Sequence, residues 1–154
     1  MARLPLNVLV FPFRRGRDGL EYALFRRSDD ADFWQAVAGG AEDGETAWEA
    51  ARRELIEEAG IAAPPESWIA LDSRSSVPAT EFRDHALWGP STFVVHVQAF
   101  GVDASHAGEI ALSVEHTQQL WLDFQRASDV MRYDHTALWE LNQRLTRAMA
   151  ESPT

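Results

Sequence analysis

The order of strand-like and helix-like segments predicts a layered α/β/α domain. Short segments rich in β-branched, aliphatic and aromatic residues flank one well-marked helix, and a second helix is expected near the end of the chain. Helices on both sides of a sheet form such layers because each element must bury one apolar face. The 154 residues have the length of one domain, so we expect a single domain over residues 1–154.

The first part of the chain is expected to contain three strands. Residues 6–13 form a largely apolar run, and a turn at residues 14–19 leads to a second strand at residues 20–27. In that strand Tyr22, Leu24 and Arg26 alternate with Ala23 and Phe25, so the two sets should face opposite sides of the sheet. A polar loop at residues 28–32 then precedes a short third strand at residues 33–37.

The clearest helix lies within residues 39–61, between two predicted loops. Thr46 with Glu49 three positions later forms a capping box, in which each side chain satisfies a backbone donor at the start of the helix. Gly60 stands where a left-handed C-terminal cap is usual. Both ends of this helix are therefore marked by local sequence.

One side of that helix is acidic. At about 100° per residue, Glu54, Glu57 and Glu58 fall within about 100° of arc. Like charges at this spacing repel one another, whereas a divalent cation would attract them, since Mg²⁺ prefers carboxylate and phosphate oxygens. On charge alone, a solvated acidic face is the competing interpretation.

The second part of the chain is expected to contain further strands and a terminal helix. The predicted elements are a strand or extended ribbon at 68–77, a loop at 78–90, a strand at 92–100, a loop at 102–108, a possible edge strand at 109–115 and a short strand at 119–122. The last helix should open at Asp134 and run to about residue 149, with Leu138, Leu141 and Leu145 on its apolar face.

Composition narrows the class of protein. The net charge of −10 argues against a nonspecific nucleic-acid surface. No apolar run approaches the roughly 20 residues that cross a bilayer, and the first residues lack the features of a signal peptide. We therefore expect a cytoplasmic protein without nucleic-acid or membrane partners. The absence of cysteine excludes disulfides and thiolate-bound zinc.

The spacing within residues 39–61 is more specific than its charge. Gly39 is followed after five residues by Glu45, and after seven more by the run RELIEEAGI at residues 53–61. This pattern matches the Nudix box at every defined position, and the chain is identified as a member of the Nudix hydrolases. The resemblance implies an α/β/α sandwich with a mixed sheet and a loop-helix-loop catalytic motif. It also implies metal-dependent hydrolysis of a nucleoside diphosphate linked to another moiety.

The resemblance also assigns roles within the box. Glu54, Glu57 and Glu58 correspond to the acidic positions that hold Mg²⁺, with Mn²⁺ as a possible substitute, and that activate water. Which glutamate is the general base stays open. Arg53 lies four residues before Glu57 and can pair with it along the helix, and the family gives it the same orienting role. The backbone carbonyl of Gly39 is implied as a further metal ligand.

A wider similarity connects the chain to the bacterial dihydroneopterin triphosphate diphosphatases of this family. It covers most of the chain and includes the DFWQ segment at residues 32–35 and the VEH segment at residues 114–116. It implies that Glu115 is an additional metal ligand or base, with a plain surface acid as the alternative. The same similarity implies that Arg3 and Arg26 contact the substrate phosphates.

Four more residues are candidates for contact with the substrate. Phe33 could stack on a base or pterin ring, with core packing as the alternative. Ala38 stands where the relatives carry a threonine, so a side-chain hydrogen bond to substrate is expected to be absent. His85 lies in the loop expected to read the substrate. His135 could reach the site from the start of the last helix, or act only as a helix-end residue.

The expected reaction is hydrolysis of a small-molecule polyphosphate. The favoured substrate is a pterin or nucleoside triphosphate, either dihydroneopterin triphosphate or a dNTP, which would give a monophosphate and pyrophosphate. Hydrolysis of ADP-ribose or a dinucleoside polyphosphate is the alternative within the family. A binding module that does not cleave is a further alternative, disfavoured because every box carboxylate is present. Both a monomer and a homodimer remain open.

Overall fold

The computed structural model describes residues 3–151, which contain one mixed sheet of seven strands with helices on both sides. The strands are β1 (Arg3–Gly16), β2 (Gly19–Arg27), β3 (Trp34–Gln35), β4 (Val37–Glu42), β5 (Trp68–Pro78), β6 (Val94–Asp103) and β7 (His116–Leu122). The helices are α1 (Ala47–Ala59), α2 (Phe124–Val130) and α3 (His135–Glu151). Short 3₁₀ turns lie at Pro65–Ser67, Ala79–Glu81 and Arg83–Trp88.

Strand β1 organises the sheet. It pairs antiparallel with β2 and β4 and parallel with β6, in the order β3-β2-β1-β6-β5. Strand β7 pairs with β2. The parallel pair within an otherwise antiparallel sheet confirms the mixed sheet that the resemblance implies. The antiparallel pairing of β4 with β1 places Gly39 opposite Val8, near the middle of β1.

Two apolar cores lie on opposite faces of the sheet. Val8 and Phe25 belong to the core under α1, and Leu9 and Leu24 belong to the core under α3, as the predicted alternation requires. Leu141 of α3 is fully buried in the second core, and burial of a side chain of this size contributes about 1.5–3 kcal/mol. The sandwich predicted from the sequence is therefore confirmed.

Helix α1 has the ends that its sequence predicts. The Glu49 N–H donates to Thr46 Oγ1 at 3.1 Å, and the Thr46 N–H donates to Glu49 Oε1 at 3.0 Å. Gly60 caps the other end in the left-handed conformation with φ 68°. The helix packs its Ala50 and Leu55 side against the sheet, which places its glutamates at the edge of β4.

Helix α2 (Phe124–Val130) was not predicted from the sequence, and two predicted segments have a different structure. Residues 109–115 form a loop and not an edge strand, because the Ala111 N–H donates to the Ala59 carbonyl at 3.0 Å and fastens the segment to the end of α1. Gly39 and Gly40, predicted as loop, lie in strand β4 because β1 supplies their hydrogen-bonding partners. No helix within residues 3–151 is long and apolar enough to span a membrane.

Candidate active site

A cleft of about 750 Å³ opens beside β4. Its walls come from the start of β1, the end of β2 and the loop after it, β4, α1, residues 81–84 and the residue before β7. Five residues predicted for the site line it, namely Arg3, Ala38, Gly39, Glu54 and Glu115. The fold therefore gathers candidates that are more than 100 positions apart in the chain.

Glu54 of α1 and Glu115 supply carboxylates to the lining of the cleft, which Glu57 and Glu58 do not line. Glu54 and Glu58 are buried, at 8% and 2% exposure, whereas the Glu57 side chain is 56% exposed. The Ala38 N–H donates to Glu58 Oε2 at 3.0 Å. A side chain at Gly39 would overlap the Glu54 carboxylate, so the glycine allows this close approach. Of the three box glutamates, two face the sheet and one faces solvent.

Burial changes the ionisation of the two inner glutamates. Loss of solvation raises the pKa of Glu54 to about 7, against the opposing effect of Arg53. Loss of solvation and the nearby Glu115 carboxylate raise the pKa of Glu58 to about 10. Both shifts disfavour the charged carboxylate. A cation beside these oxygens would reverse that preference.

Arg53 connects the parts of the box. It donates to both carboxylate oxygens of Glu45 at 2.8 and 2.9 Å, to the Gly40 carbonyl at 2.9 Å and to Glu54 at 2.9 Å. Its predicted pairing with Glu57 is also present, at 3.2 Å. The pKa of Glu45 is lowered chiefly by its hydrogen bonds from Arg53. The guanidinium therefore joins the loop, β4 and α1, and this linkage orients the carboxylates.

The fit of this site to a divalent cation rests on its donor set. Within residues 3–151, no group of three or more histidine, aspartate or glutamate side chains is already arranged to hold an ion. Two features nevertheless suit a hard cation. Glu58 Oε1 is buried without a hydrogen-bonding partner among the described residues, and Glu115 is near enough to raise the pKa of Glu58. Clustered carboxylate oxygens of this kind are ligands that Mg²⁺ prefers.

Arginines form the cationic part of the same cleft. Arg3, Arg27 and Arg83 line it. Arg27 donates to both oxygens of Asp29 at 2.7 Å. Arg26, the arginine predicted from the resemblance, does not line the cleft, and its Nε donates to Thr117 at 3.2 Å.

The strand alternation explains why Arg27 and not Arg26 reaches the cleft. Arg26 follows the register of Tyr22 and Leu24, which face α3, whereas Arg27 follows the register of Phe25, which faces α1. The alternation predicted from the sequence placed Arg26 on the face of Tyr22 and Leu24, and Arg27 was not among the predicted site residues. The structure adds that the face carrying Arg27 is the one that borders the cleft.

Three other predicted substrate contacts lie outside the lining of this cleft. Phe33 packs under the Arg132 guanidinium, 4.5 Å from its ring centre. His85 is exposed, with its Nδ1 2.9 Å from the Phe82 carbonyl. His135, at the start of α3, places Nε2 3.0 Å from the Ser128 carbonyl. The aromatic ring that does line the cleft is Phe82, which the sequence analysis did not select.

The fold and the carboxylate-bearing helix define the class of protein. Residues 3–145 match the model of the NUDIX domain. The chain therefore belongs to the NUDIX family, as the spacing of its box indicates, and it is a Nudix hydrolase, an enzyme that acts on phosphoanhydride bonds.

Individual relatives narrow the comparison. The chain is 30% identical over 133 residues to the dihydroneopterin triphosphate diphosphatase of Escherichia coli K12, covering 80% of this chain and 81% of that protein. A solved structure of the E. coli dihydroneopterin triphosphate pyrophosphohydrolase superposes with a TM-score of 0.72 at 26% identity, covering 92% and 99% of the two chains. A structure from Listeria monocytogenes, described as a NUDIX hydrolase, superposes with a TM-score of 0.81 at 33% identity. The match covers 94% of this chain and 97% of that one.

Proposed function

We propose that the protein is a Mg²⁺-dependent pyrophosphohydrolase that cleaves a nucleoside or pterin triphosphate into a monophosphate and pyrophosphate. The observation that carries this proposal is the two-sided cleft. Glu54 and Glu115 line it together with Arg3 and Arg27. A polyphosphate with its metal ions needs both kinds of group, since carboxylates bind the cations and guanidinium groups bind phosphate oxygens.

The substrate class is also supported by similarity. The E. coli relative named as a dihydroneopterin triphosphate diphosphatase aligns over four-fifths of both chains. A cleft of about 750 Å³ lies in the usual range for small-molecule sites. Within it, Phe82 offers an aromatic surface for the ring of a base or pterin, at a side of the cleft formed by residues 81–84.

The metal would be held by Glu54, Glu58 and Glu115, with the Gly39 carbonyl beside them. Glu57 would complete the set from its exposed position next to Arg53. When bound there, Mg²⁺ or Mn²⁺ lowers the pKa of water and neutralises charge on phosphate oxygens. A cation there would give Glu58 Oε1 the partner that it lacks among residues 3–151.

The protein's own groups would bind, orient and move a proton. Arg3 and Arg27 would brace the phosphates by forked hydrogen bonds. Glu58 or Glu115 would accept the proton of the attacking water. Arg53 would keep Glu54 in place while holding the loop through Glu45. Ala38 contributes its backbone N–H to Glu58 and no side-chain donor to the substrate.

A substrate panel with Mg²⁺ tests this proposal. Dihydroneopterin triphosphate, the four dNTPs, ADP-ribose and a diadenosine polyphosphate are compared by kcat/KM, with pyrophosphate and phosphate measured separately. We expect a triphosphate to give the highest kcat/KM and to release pyrophosphate, and excess chelator to abolish turnover. A higher kcat/KM for ADP-ribose or the dinucleotide would contradict the substrate class and leave the family unchanged. Full turnover in chelator would contradict the metal requirement.

A further inference from the structure

The backbone carbonyl of Arg3 has an unusual partner. The indole N–H of Trp88 donates to it at 2.6 Å, across 85 positions of sequence. Strand β6 pairs with β1 only from Leu6 onward, so Arg3 lies before the point where that ladder begins. Arg3 is paired with Glu42 of β4 on one side. A polar backbone group in a partly buried position needs a partner, and here the Trp88 side chain supplies it where β6 does not reach.

The side chain of Arg3 contacts the segment that carries Trp88, residues 79–88. Its guanidinium carbon lies 4.8 Å from the centre of the Phe82 ring, and that ring packs 6.0 Å from the Trp88 ring. Its Nη2 donates to Asn7 Oδ1 at 2.6 Å. A side chain at Gly40 would overlap Arg3, so the glycine leaves room for it. Arg3 is thus enclosed by β4, β1 and the segment that carries Trp88.

We propose that Trp88 is a positioning residue that holds Arg3 in the cleft for phosphate binding. This inference rests on the proposed function, in which Arg3 braces the substrate phosphates. A free arginine side chain loses rotamer freedom on binding, and prior ordering reduces that cost. Trp88 fixes the backbone of Arg3, and Phe82 fixes the orientation of its guanidinium.

The chain offers a matched control for the hydrogen bond of Trp88. Trp68 also donates its indole N–H to a backbone carbonyl, that of Ala63, at 3.3 Å. Trp68 packs in the core under α1 and does not line the cleft. Trp68→Phe and Trp88→Phe therefore remove the same kind of bond, and only the second removes it from Arg3.

Binding of the imido analogue of inorganic tripolyphosphate, measured by titration calorimetry with Mg²⁺, tests the inference without turnover. Trp88→Phe should weaken binding by about fivefold to tenfold, the effect of roughly one hydrogen bond. Trp68→Phe should leave binding unchanged. Arg3→Ala should weaken binding at least as much as Trp88→Phe, and adding Trp88→Phe to Arg3→Ala should cause no further loss.

Several outcomes would overturn the inference. These are wild-type affinity in Trp88→Phe, an equal loss in Trp68→Phe, a full further loss in the Arg3→Ala background, or no binding by the wild-type protein. Phe82→Leu removes the ring beside the guanidinium and keeps the hydrogen bond, so it provides a second test if Trp88→Phe does not fold, with several-fold weaker binding expected. Wild-type affinity in Phe82→Leu would then overturn the inference.

The proposed function is judged by a different measurement. A wild-type protein that binds the imido analogue through Arg3 but hydrolyses no triphosphate would contradict the proposed function and leave the role of Trp88 standing. Normal triphosphate hydrolysis by the wild-type protein together with unchanged binding in Trp88→Phe would contradict the role of Trp88 and leave the proposed function standing.

Discussion

The acidic and cationic sides of the cleft are assembled in different ways. On the acidic side, Arg53, Glu54 and Glu58 lie within six consecutive residues of α1. On the cationic side, Arg3 and Arg27 come from β1 and the end of β2, and Arg83 comes from the 3₁₀ turn after β5. The acidic side combines one helix with Glu115 from the segment before β7, whereas the cationic side depends on the packing of three distant segments.

This difference separates two parts of the proposed chemistry. The spacing of Glu54, Glu57 and Glu58 follows from the geometry of α1, whereas Glu115 joins them only through the fold. The arginines and Phe82 reach the same cleft only because the strand order of the sheet brings them there. We expect the first group to determine whether the protein hydrolyses polyphosphates and the second to determine which ones it binds.

Glu58→Gln should have the largest effect, because it alters the acidic side directly. We expect kcat to fall by about 10²–10⁴, the usual contribution of a general base. Glutamine resembles the protonated carboxyl that burial favours at this position, so the melting temperature without metal should hold or rise slightly. Steady-state kinetics and thermal melts measure the two effects. Glu66→Gln, at an exposed position, is the control, and near-normal kcat in Glu58→Gln would refute the assignment.

A pair of neighbouring arginines tests the cationic side. Arg27→Ala should lower kcat/KM for every triphosphate by roughly tenfold, since a charged hydrogen bond contributes about 1.5–3 kcal/mol and part is offset by water. Arg26→Ala should have little effect, because Arg26 lies outside the cleft lining and contacts Thr117. Kinetics on a dNTP series compare the two. A larger loss of kcat/KM in Arg26→Ala than in Arg27→Ala would favour Arg26, the residue that the family resemblance implies, as the phosphate contact.

The pH dependence of stability gives the smallest expected effect. The pKa of Glu54 is raised from 4.5 to about 7 on folding, so the folded state binds more protons than the unfolded state between these values. Without metal, stability should therefore be fully retained below pH 4.5 and fall as the pH rises towards 7, by on the order of 1–3 kcal/mol from this group.

Glu54→Gln should remove that part of the decline, and Mg²⁺ should reduce it by favouring the ionised carboxylate. Thermal melts of wild type and Glu54→Gln from pH 4.5 to 8, in chelator and in Mg²⁺, measure it. Parallel curves for the two proteins in chelator would show that Glu54 is not the group responsible.

Local features of the sequence were predicted well, because their causes are local. The capping box of Thr46 and Glu49 and the cap at Gly60 involve residues within one helical turn. The pairing of Arg53 with Glu57 follows from helical spacing. The segment at 109–115 was mispredicted as a strand because its outcome depends on a bond to Ala59, fifty-two positions from Ala111.

The sequence by itself indicated the NUDIX family through the spacing of its box, and the α/β/α layers through that resemblance and the order of its segments. Capping and periodicity indicated the acidic helix. The tertiary structure decided that Glu54 and Glu58 are buried while Glu57 is exposed. It also decided that Arg27 and Phe82 line the cleft and that His85 and His135 do not. These placements depend on strand register and on contacts between distant segments, which a one-dimensional pattern does not specify.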